Sequence, residues 1–509
     1  MTTMTPITNR PLLLERTALV VLTVAATTIL TVGAQTPSSL AIVGATVVDG
    51  NGGAPVRDAT IVVEGSRIAQ IGSRASVRVP SGARVIDATG AFVTPGFIDT
   101  NVHLSLYGGM GDRYETLARY YPQRDDIVLE AAQIQLTYGV TTVRDSYGML
   151  MPLVAVRDRI ARGQAIGARI LAAGNIVGWG GPYSVSFSLT RETGLTLFQE
   201  QMNDAITQGG GEDLMGMTPP QLARAIDAYL DKGPDFLKYG GTSHFASPTF
   251  IGFSPEAQKV IVERVHARGK VAETHSTSPE GLRLSLDAGI DLIQHPEILD
   301  GTEMPDDVVA RIRDHQIICS MLVSTMTGDV WQKHLKDRAD AEKKQADADK
   351  KMPQRPKTTL EQQHREDELG IPLEMRRKNA QKLIRAGAVV TVGTDSYWAA
   401  ASELSRTPKP DNQDHGMGTI QAIEGLVELG MSPAQAIVAG TKNGAIAARG
   451  LKSFGTLEAG KEADLVVLSA DPLADIHNIR KVVQVVKGGR VIDRGALPEK
   501  RVLSSAPAK

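Results

Sequence analysis

The 509-residue chain holds ten histidines, and three of them, His103, His275 and His295, sit in short polar runs that each close an apolar stretch: DTNVH, THS and QHP. Lys238, in FLKYG, and Asp395, in GTDS, occupy equivalent places. Imidazole is the commonest metal ligand, and several histidines with one carboxylate suit a divalent cation such as zinc. The single cysteine, Cys319, rules out both an intrachain disulfide and a thiolate zinc site. Any metal must therefore be held by histidine, carboxylate or lysine-derived ligands. One such histidine alone would be unremarkable; several at corresponding points of a repeating pattern are not.

The elements that must position these residues follow from the hydrophobic pattern. Short apolar strands alternate with helical stretches, the signature of βα units around a parallel sheet. Strands are predicted at Phe92 to Thr100, Val140 to Arg144, Arg169 to Ala173, Phe236 to Lys238, Val271 to Thr274, Leu292 to Gln294, Ile317 to Met321 and Val389 to Gly393. Helices fit between them at Pro255 to Arg268, Pro279 to Ala288 and Arg376 to Ala386, with Gly269, Gly289 and Gly387 as C-terminal stops. Eight strands suggest a (β/α)₈ TIM barrel, in which side chains from the C-terminal strand ends converge on one axis. His103, Lys238, His275, His295 and Asp395 all fall at or just past such ends. Ser39 to Pro95 reads as a small antiparallel β unit, and the same texture returns after Gly455, so the two flanks are expected to form one sheet domain. The expected boundaries are 35–95 for the first part of that domain, 96–450 for the barrel and 451–509 for the second part and tail.

Taken in order, GFIDTNVH from Gly96 to His103, Lys238, THS at 274–276, QHP at 294–296, GTDS at 393–396 and GTLEAGKEADLVVL from Gly455 to Leu468 resemble the metal-dependent amidohydrolase superfamily, closest to its imidazolonepropionase-like and dipeptidase-like branch. The resemblance covers nearly all of the chain after its first residues. It implies a (β/α)₈ barrel with a β-sandwich built from both flanks. It also implies that a carboxylated Lys238 bridges two metals, that His275 and His295 complete the more exposed site, and that His103 and Asp395 hold the buried one. Asp395 would also be the catalytic base, taking a proton from metal-activated water and passing it to the leaving group. Free lysine is an ammonium and cannot ligate, so Lys238 must lose its proton or become a carbamate.

One position departs from the family pattern. The first strand ordinarily ends in His-x-His, whereas this chain has Asn101, Val102 and His103. An amide oxygen is a harder, weaker donor than imidazole and suits manganese or magnesium better than zinc. Three arrangements stay open: two metals with one loosely held, one metal on Lys238, His275 and His295, or no functional metal. Asn101 is thus a weak ligand or a substrate contact. Tyr239, His244 and His415 are candidate substrate-binding residues.

The resemblance implies a metal-dependent hydrolase of a carbon–nitrogen bond, the amide of a dipeptide or N-acyl amino acid, and the N-terminal segment adds that it is exported. Hydrolysis of a cyclic amide, lactone or ester is the alternative chemistry, and a non-catalytic binding barrel the alternative class. The cofactor is one or two divalent ions, zinc first and manganese second. Residues 1–34 read as a signal peptide: Arg10 and Arg16 precede an apolar stretch that ends in small residues near Ala34. A periplasmic or secreted enzyme is expected, with no membrane attachment after cleavage. Lys+Arg at 55 against Asp+Glu at 57 leaves no field to attract nucleic acid. A small-molecule substrate is the expected partner, and a homo-oligomer is compatible with the sequence. Two long connections, Gly178 to Pro220 and Gly328 to Leu373, exceed ordinary loops; the charged run from Lys333 to Lys351 within the second reads as a solvated helix.

Overall fold

The computed structural model describes residues 39–107, 118–181, 195–244, 249–299, 301–350, 356–398 and 411–504. The expected leader over residues 1–34 lies outside them. Among the described residues, no helix is long and apolar enough to cross a membrane.

Eight parallel strands follow one another through the middle of the chain: Phe97–Tyr107, Val140–Asp145, Arg169–Ala172, Leu237–Gly240, Ala272–His275, Leu292–Gln294, Ile318–Met321 and Val389–Val392. The first three form one ladder, with the short Ser396–Trp398 strand on its edge, and the other five form a second. Backbone hydrogen bonds cross both gaps between the ladders. Val177 N donates to Lys238 O at 2.8 Å and Gly240 N to Val177 O at 2.9 Å beside the fourth strand. Asp395 N donates to Asn101 O at 2.8 Å, joining the end of the eighth strand to the first. The arrangement is TIM-barrel-like.

Local chemistry explains why the helices begin and end where they do. Ser254 and Ser278 cap the helices Pro255–Ala267 and Pro279–Ala288 by accepting backbone N–H bonds from Ala257 and Gly281, and each helix opens on proline. Gly289, at φ 85°, ends the second in the left-handed conformation that suits glycine. The long connection after the seventh strand carries the helix Gly328–Asp349, which includes most of the charged run, and the helix Thr359–Glu368.

The strand expected over Phe92 to Thr100 is in fact two strands in two sheets. Phe92–Pro95 pairs with Leu465–Leu468 in the flank sheet, and the barrel strand begins at Phe97. The break lies where Pro95 has no N–H to donate and Gly96 packs so closely that an added Cβ would meet Thr141 Oγ1 at 2.1 Å. Both flanks do build one eight-stranded sheet. Its N-terminal part is mixed, however, and not antiparallel as expected: Leu40–Val47 pairs antiparallel with Val56–Glu64 but parallel with Arg84–Asp87 and Phe92–Pro95. The hairpin strand Val56–Glu64 occupies one edge of Leu40–Val47, and the chain crosses back before filling the other edge in the same direction.

The strands also enclose a buried polar layer. Arg144 Nη2 contacts Glu273 Oε2 at 2.6 Å, both side chains being essentially inaccessible. Arg144 also donates to Ala447 O and stacks on Phe236 at 3.9 Å, while Gln294 donates to Glu273 Oε1 at 3.0 Å. Truncating one partner of such a pair strands the other charge. Glu273→Ala is therefore expected to destabilise the fold by about 3–5 kcal/mol, read as a shift in the denaturant midpoint at unchanged slope. An unshifted midpoint would show that the layer contributes nothing. A second buried carboxylate, Glu130, ties down the C-terminal tail by accepting the backbone N–H groups of Val502, Leu503 and Ser504.

Candidate active site

The C-terminal ends of the first, fourth, fifth, sixth and eighth strands bring the expected residues to one end of the barrel-like core. His275 is the last residue of its strand and His295 directly follows its own. His275 Nδ1 and His295 Nε2 face each other at 3.1 Å, with the rings edge to face. Burial holds His295 down at about 3 and His275 well below the usual histidine range, the neighbouring imidazoles and Lys238 adding to the effect. Both rings are thus neutral and present lone pairs. His275 Nε2, His295 Nδ1 and His103 Nδ1 are buried without a hydrogen-bond partner.

Lys238 is 2% exposed and faces inward from the fourth strand. Its Nζ reaches Ser146 Oγ at 3.4 Å, and among the described residues it forms no ion pair with a carboxylate. Burial lowers its pKa, against the pull of Asp395, Glu273 and Asp145. Tyr239, next in sequence, points to the opposite face: its hydroxyl is 3.0 Å from Gln258 Oε1 and its ring packs on Phe253, between strand and helix. It is fully buried there, away from the face that Lys238 presents.

Asp395 is half-buried. Burial alone would raise its pKa, but the His103 Nε2 contact at 3.2 Å and the nearby His295 and Lys238 outweigh that and hold it far below the carboxylate range. Asn101 Nδ2 donates to the same carboxylate oxygen, and Ser146 donates to Asn101 Oδ1. Asn101, inaccessible to solvent, therefore bridges the second strand's end to Asp395. His295 and Asp395, at φ 39° and 53°, are two of the six described non-glycine residues with positive φ. Such conformations are disfavoured and persist only where the surroundings impose them. At Asp395 the imposing contacts include the bonds of Thr394 and Asp395 N to Asn101 O, and of Thr394 Oγ1 to Asp99 Oδ2 at 2.8 Å. Asp99 also accepts from Thr419 at 2.7 Å, and burial pushes its pKa up to about 7 despite these hydrogen bonds.

His244 is exposed and stacks 6.1 Å from His275, beside Trp179, whose ring meets His275 edge-on at 4.6 Å. His415 is buried, with Nδ1 3.1 Å from Ser396 Oγ and its ring edge-on to Trp398. The residues that sequence reasoning did not single out are Ser146, Asp99 as a buttress, and Arg376. Ser146 directly follows Asp145 at the end of the second strand, so the strand-end rule applied to that strand would have found it; Arg376, on a helix, gave no such signal.

Among the described residues, no three His, Cys, Asp or Glu side chains gather into a ready-made ligand set. The imidazoles form one pair and His103 with Asp395 another. The imidazole pair nevertheless fits a cation. Two donors at 2.0–2.1 Å from a tetrahedral ion lie roughly 3.3 Å apart, close to the observed 3.1 Å, and both rings are neutral.

The sequence profile described as "Amidohydrolase family" matches residues 92–492. The solved structure of phenylurea hydrolase B is 30% identical, covering 92% of this chain and all of that one, at a TM-score of 0.80. Ochratoxinase from Aspergillus niger is 24% identical over 86% of this chain and 84% of its own length. Imidazolonepropionase from Anaeromyxobacter sp. (strain K) is 24% identical over 85% and 90% respectively. With the profile running from the last N-terminal strand of the flank sheet, through every strand that carries a site residue, to the final strand of that sheet, the chain belongs to the amidohydrolase family and is a hydrolase of carbon–nitrogen bonds.

Proposed function

We propose that this protein is an exported, metal-dependent hydrolase of an amide bond in a dipeptide or N-acyl amino acid. Its eight strands would close as a (β/α)₈ barrel over 96–450, with the flanks 35–95 and 451–509 forming a β-sandwich. The observation that carries the reading is the neutral pair His275 Nδ1 and His295 Nε2 at 3.1 Å, beside a buried lysine that has no carboxylate partner among the described residues. Lys238, depressed by burial, is suited to react with carbon dioxide and become the anionic third donor. His275, His295 and carboxylated Lys238 would hold one divalent ion, zinc or manganese; His103 and Asp395 mark where a second would sit. Such an ion lowers the pKa of water and polarises a carbonyl.

The remaining work falls to the chain's own residues. Asp395, kept ionised by His103, His295 and Lys238, accepts the proton of the attacking water on its carboxylate and returns it to the leaving nitrogen. Asn101 orients that carboxylate, a role that its two hydrogen bonds support over substrate contact. His244 and His415 flank the site from the loops after the fourth and eighth strands, where they would contact the substrate. The leader expected over residues 1–34 carries the export part of the proposal.

Substrate profiling tests the reading. The purified protein, with its metal content measured, is offered dipeptides, N-acyl amino acids, phenylureas, lactones and esters. Turnover of amides by metal-containing protein is the expected result. Turnover confined to lactones or esters would transfer the activity to the alternative chemistry, and a metal-free protein inert on the whole panel would favour a binding barrel.

A further inference from the structure

Two adjacent arginines begin the second turn of the helix Ile371–Ala386, which follows the seventh strand and starts at the barrel's functional end. Arg377 is fully employed: it donates to Met326 O at 2.9 Å, pairs with Glu428 at 2.7 Å and stacks on Trp331 at 4.4 Å. Arg376 is not. Its one hydrogen bond among the described residues runs from Nη2 to Thr325 Oγ1 at 2.7 Å, and its one ion pair, with Glu297, is loose at 3.9 Å. Nε is buried with no partner, although four-fifths of the side chain is shielded from solvent. A mostly shielded guanidinium whose Nε is buried and unpaired, and which makes a single hydrogen bond among the described residues, is an unusual expense for a fold.

Its surroundings are those of the active site. Glu297 lies two residues beyond His295 and is buried, with Oε1 accepting from Leu322 N at 3.0 Å. The charge of Arg376 is felt by His295 and by Asp395. Glu297 does not use the cation up: the pair is too long for a hydrogen bond.

We propose that Arg376 is a specificity-determining residue whose guanidinium binds a carboxylate on the substrate, so that the site favours N-acyl amino acids and dipeptides over uncharged amides. This rests on the hydrolase reading above and identifies which residue selects the substrate class. The planar fork matches a carboxylate, and the open donors supply the hydrogen bonds that the protein leaves unmade.

The test measures binding without turnover. Calorimetric titrations compare 3-phenylpropanoate with its neutral, non-hydrolysable isostere 4-phenylbutan-2-one on wild-type protein, Arg376→Gln and Arg376→Lys. Wild type is expected to favour the carboxylate by about tenfold or more, the effect of roughly one good charge-assisted contact. Arg376→Gln should bring the ratio near unity and leave ketone binding unchanged within about twofold. Arg376→Lys should retain part of the preference, since lysine supplies the charge without the fork. A ratio near unity in wild type, or a wild-type ratio preserved in Arg376→Gln because the carboxylate is held elsewhere, overturns the proposal. Should Arg376→Gln fail to fold, an undiminished ratio in Arg376→Lys does the same. A protein that shows the Arg376-dependent preference yet hydrolyses no amide would refute the hydrolase reading and leave the anion site standing.

Discussion

Asp395→Asn is expected to remain folded and to lose roughly 10²–10⁴-fold in kcat on an amide substrate, the range that a positioned acid–base group contributes. The substitution keeps the shape of the side chain and removes its capacity to take up a proton. Asparagine also tolerates the left-handed backbone that residue 395 adopts at φ 53° better than most residues do. The structure makes the effect chemical: His103 Nε2 and Asn101 Nδ2 both address one oxygen of this carboxylate, and its backbone N–H is tied to Asn101 O. Bound metal and melting temperature should be reported beside kcat. A variant that retains metal and fold and loses kcat confirms the proton-transfer role; retention of kcat within about tenfold removes Asp395 from the chemistry.

Lys238→Ala is expected to abolish turnover by releasing the metal. Loss of a partner that merely orients a ligand costs roughly 10–100-fold in metal affinity, so loss of a direct ligand should exceed that range. The truncated side chain leaves a buried space at the end of the fourth strand, and a short carboxylate such as acetate or propionate should enter it and restore part of both metal content and rate. In wild-type protein, labelled bicarbonate should yield a carbamate carbon resonance that Lys238→Ala lacks. If the variant binds metal as tightly as wild type, or if no carbamate forms in active protein, Lys238 is not the anionic donor. The physical ground is its isolation: a 2% exposed amine whose one hydrogen-bond partner among the described residues is a hydroxyl at 3.4 Å is poorly served as an ammonium.

Much of the fold was legible because burial in a parallel sheet leaves a plain signature. Val140–Asp145, Leu292–Gln294 and Val389–Val392 lie within a residue of their predicted ends, each being a short apolar run after a helix stop. The first strand was misread because Phe92–Val93 and Phe97–Ile98 lie so close together that Phe92 to Thr100 reads as a single strand, with Pro95–Gly96 passed over as a break. Only packing shows that Gly96 passes against Thr141 and hands the chain from one sheet to another. The mixed character of the N-terminal flank was hidden for a related reason: alternation reports which face a strand buries and carries no information on the direction of its neighbour. At the site, residue type at strand ends identified His275, His295, Lys238 and Asp395 as candidates, and the structure brings them to one end of the core. Tyr239 was drawn in by its adjacency to Lys238, although successive strand residues face opposite ways.

The sequence by itself determined the family, the repeating strand–helix order and the chemical kinds of side chain available at strand ends, because these depend on local pattern and composition. Only the tertiary structure decided that His275 and His295 meet through Nδ1 and Nε2, that Asn101 spends both ends of its amide on Ser146 and Asp395, and that Arg376 is left with open donors beside Glu297. Those facts are distances between residues separated by 20 to 294 positions in the chain. Hydrogen-bond directions and burial arise only when the strands assemble, and no spacing rule along the chain encodes them.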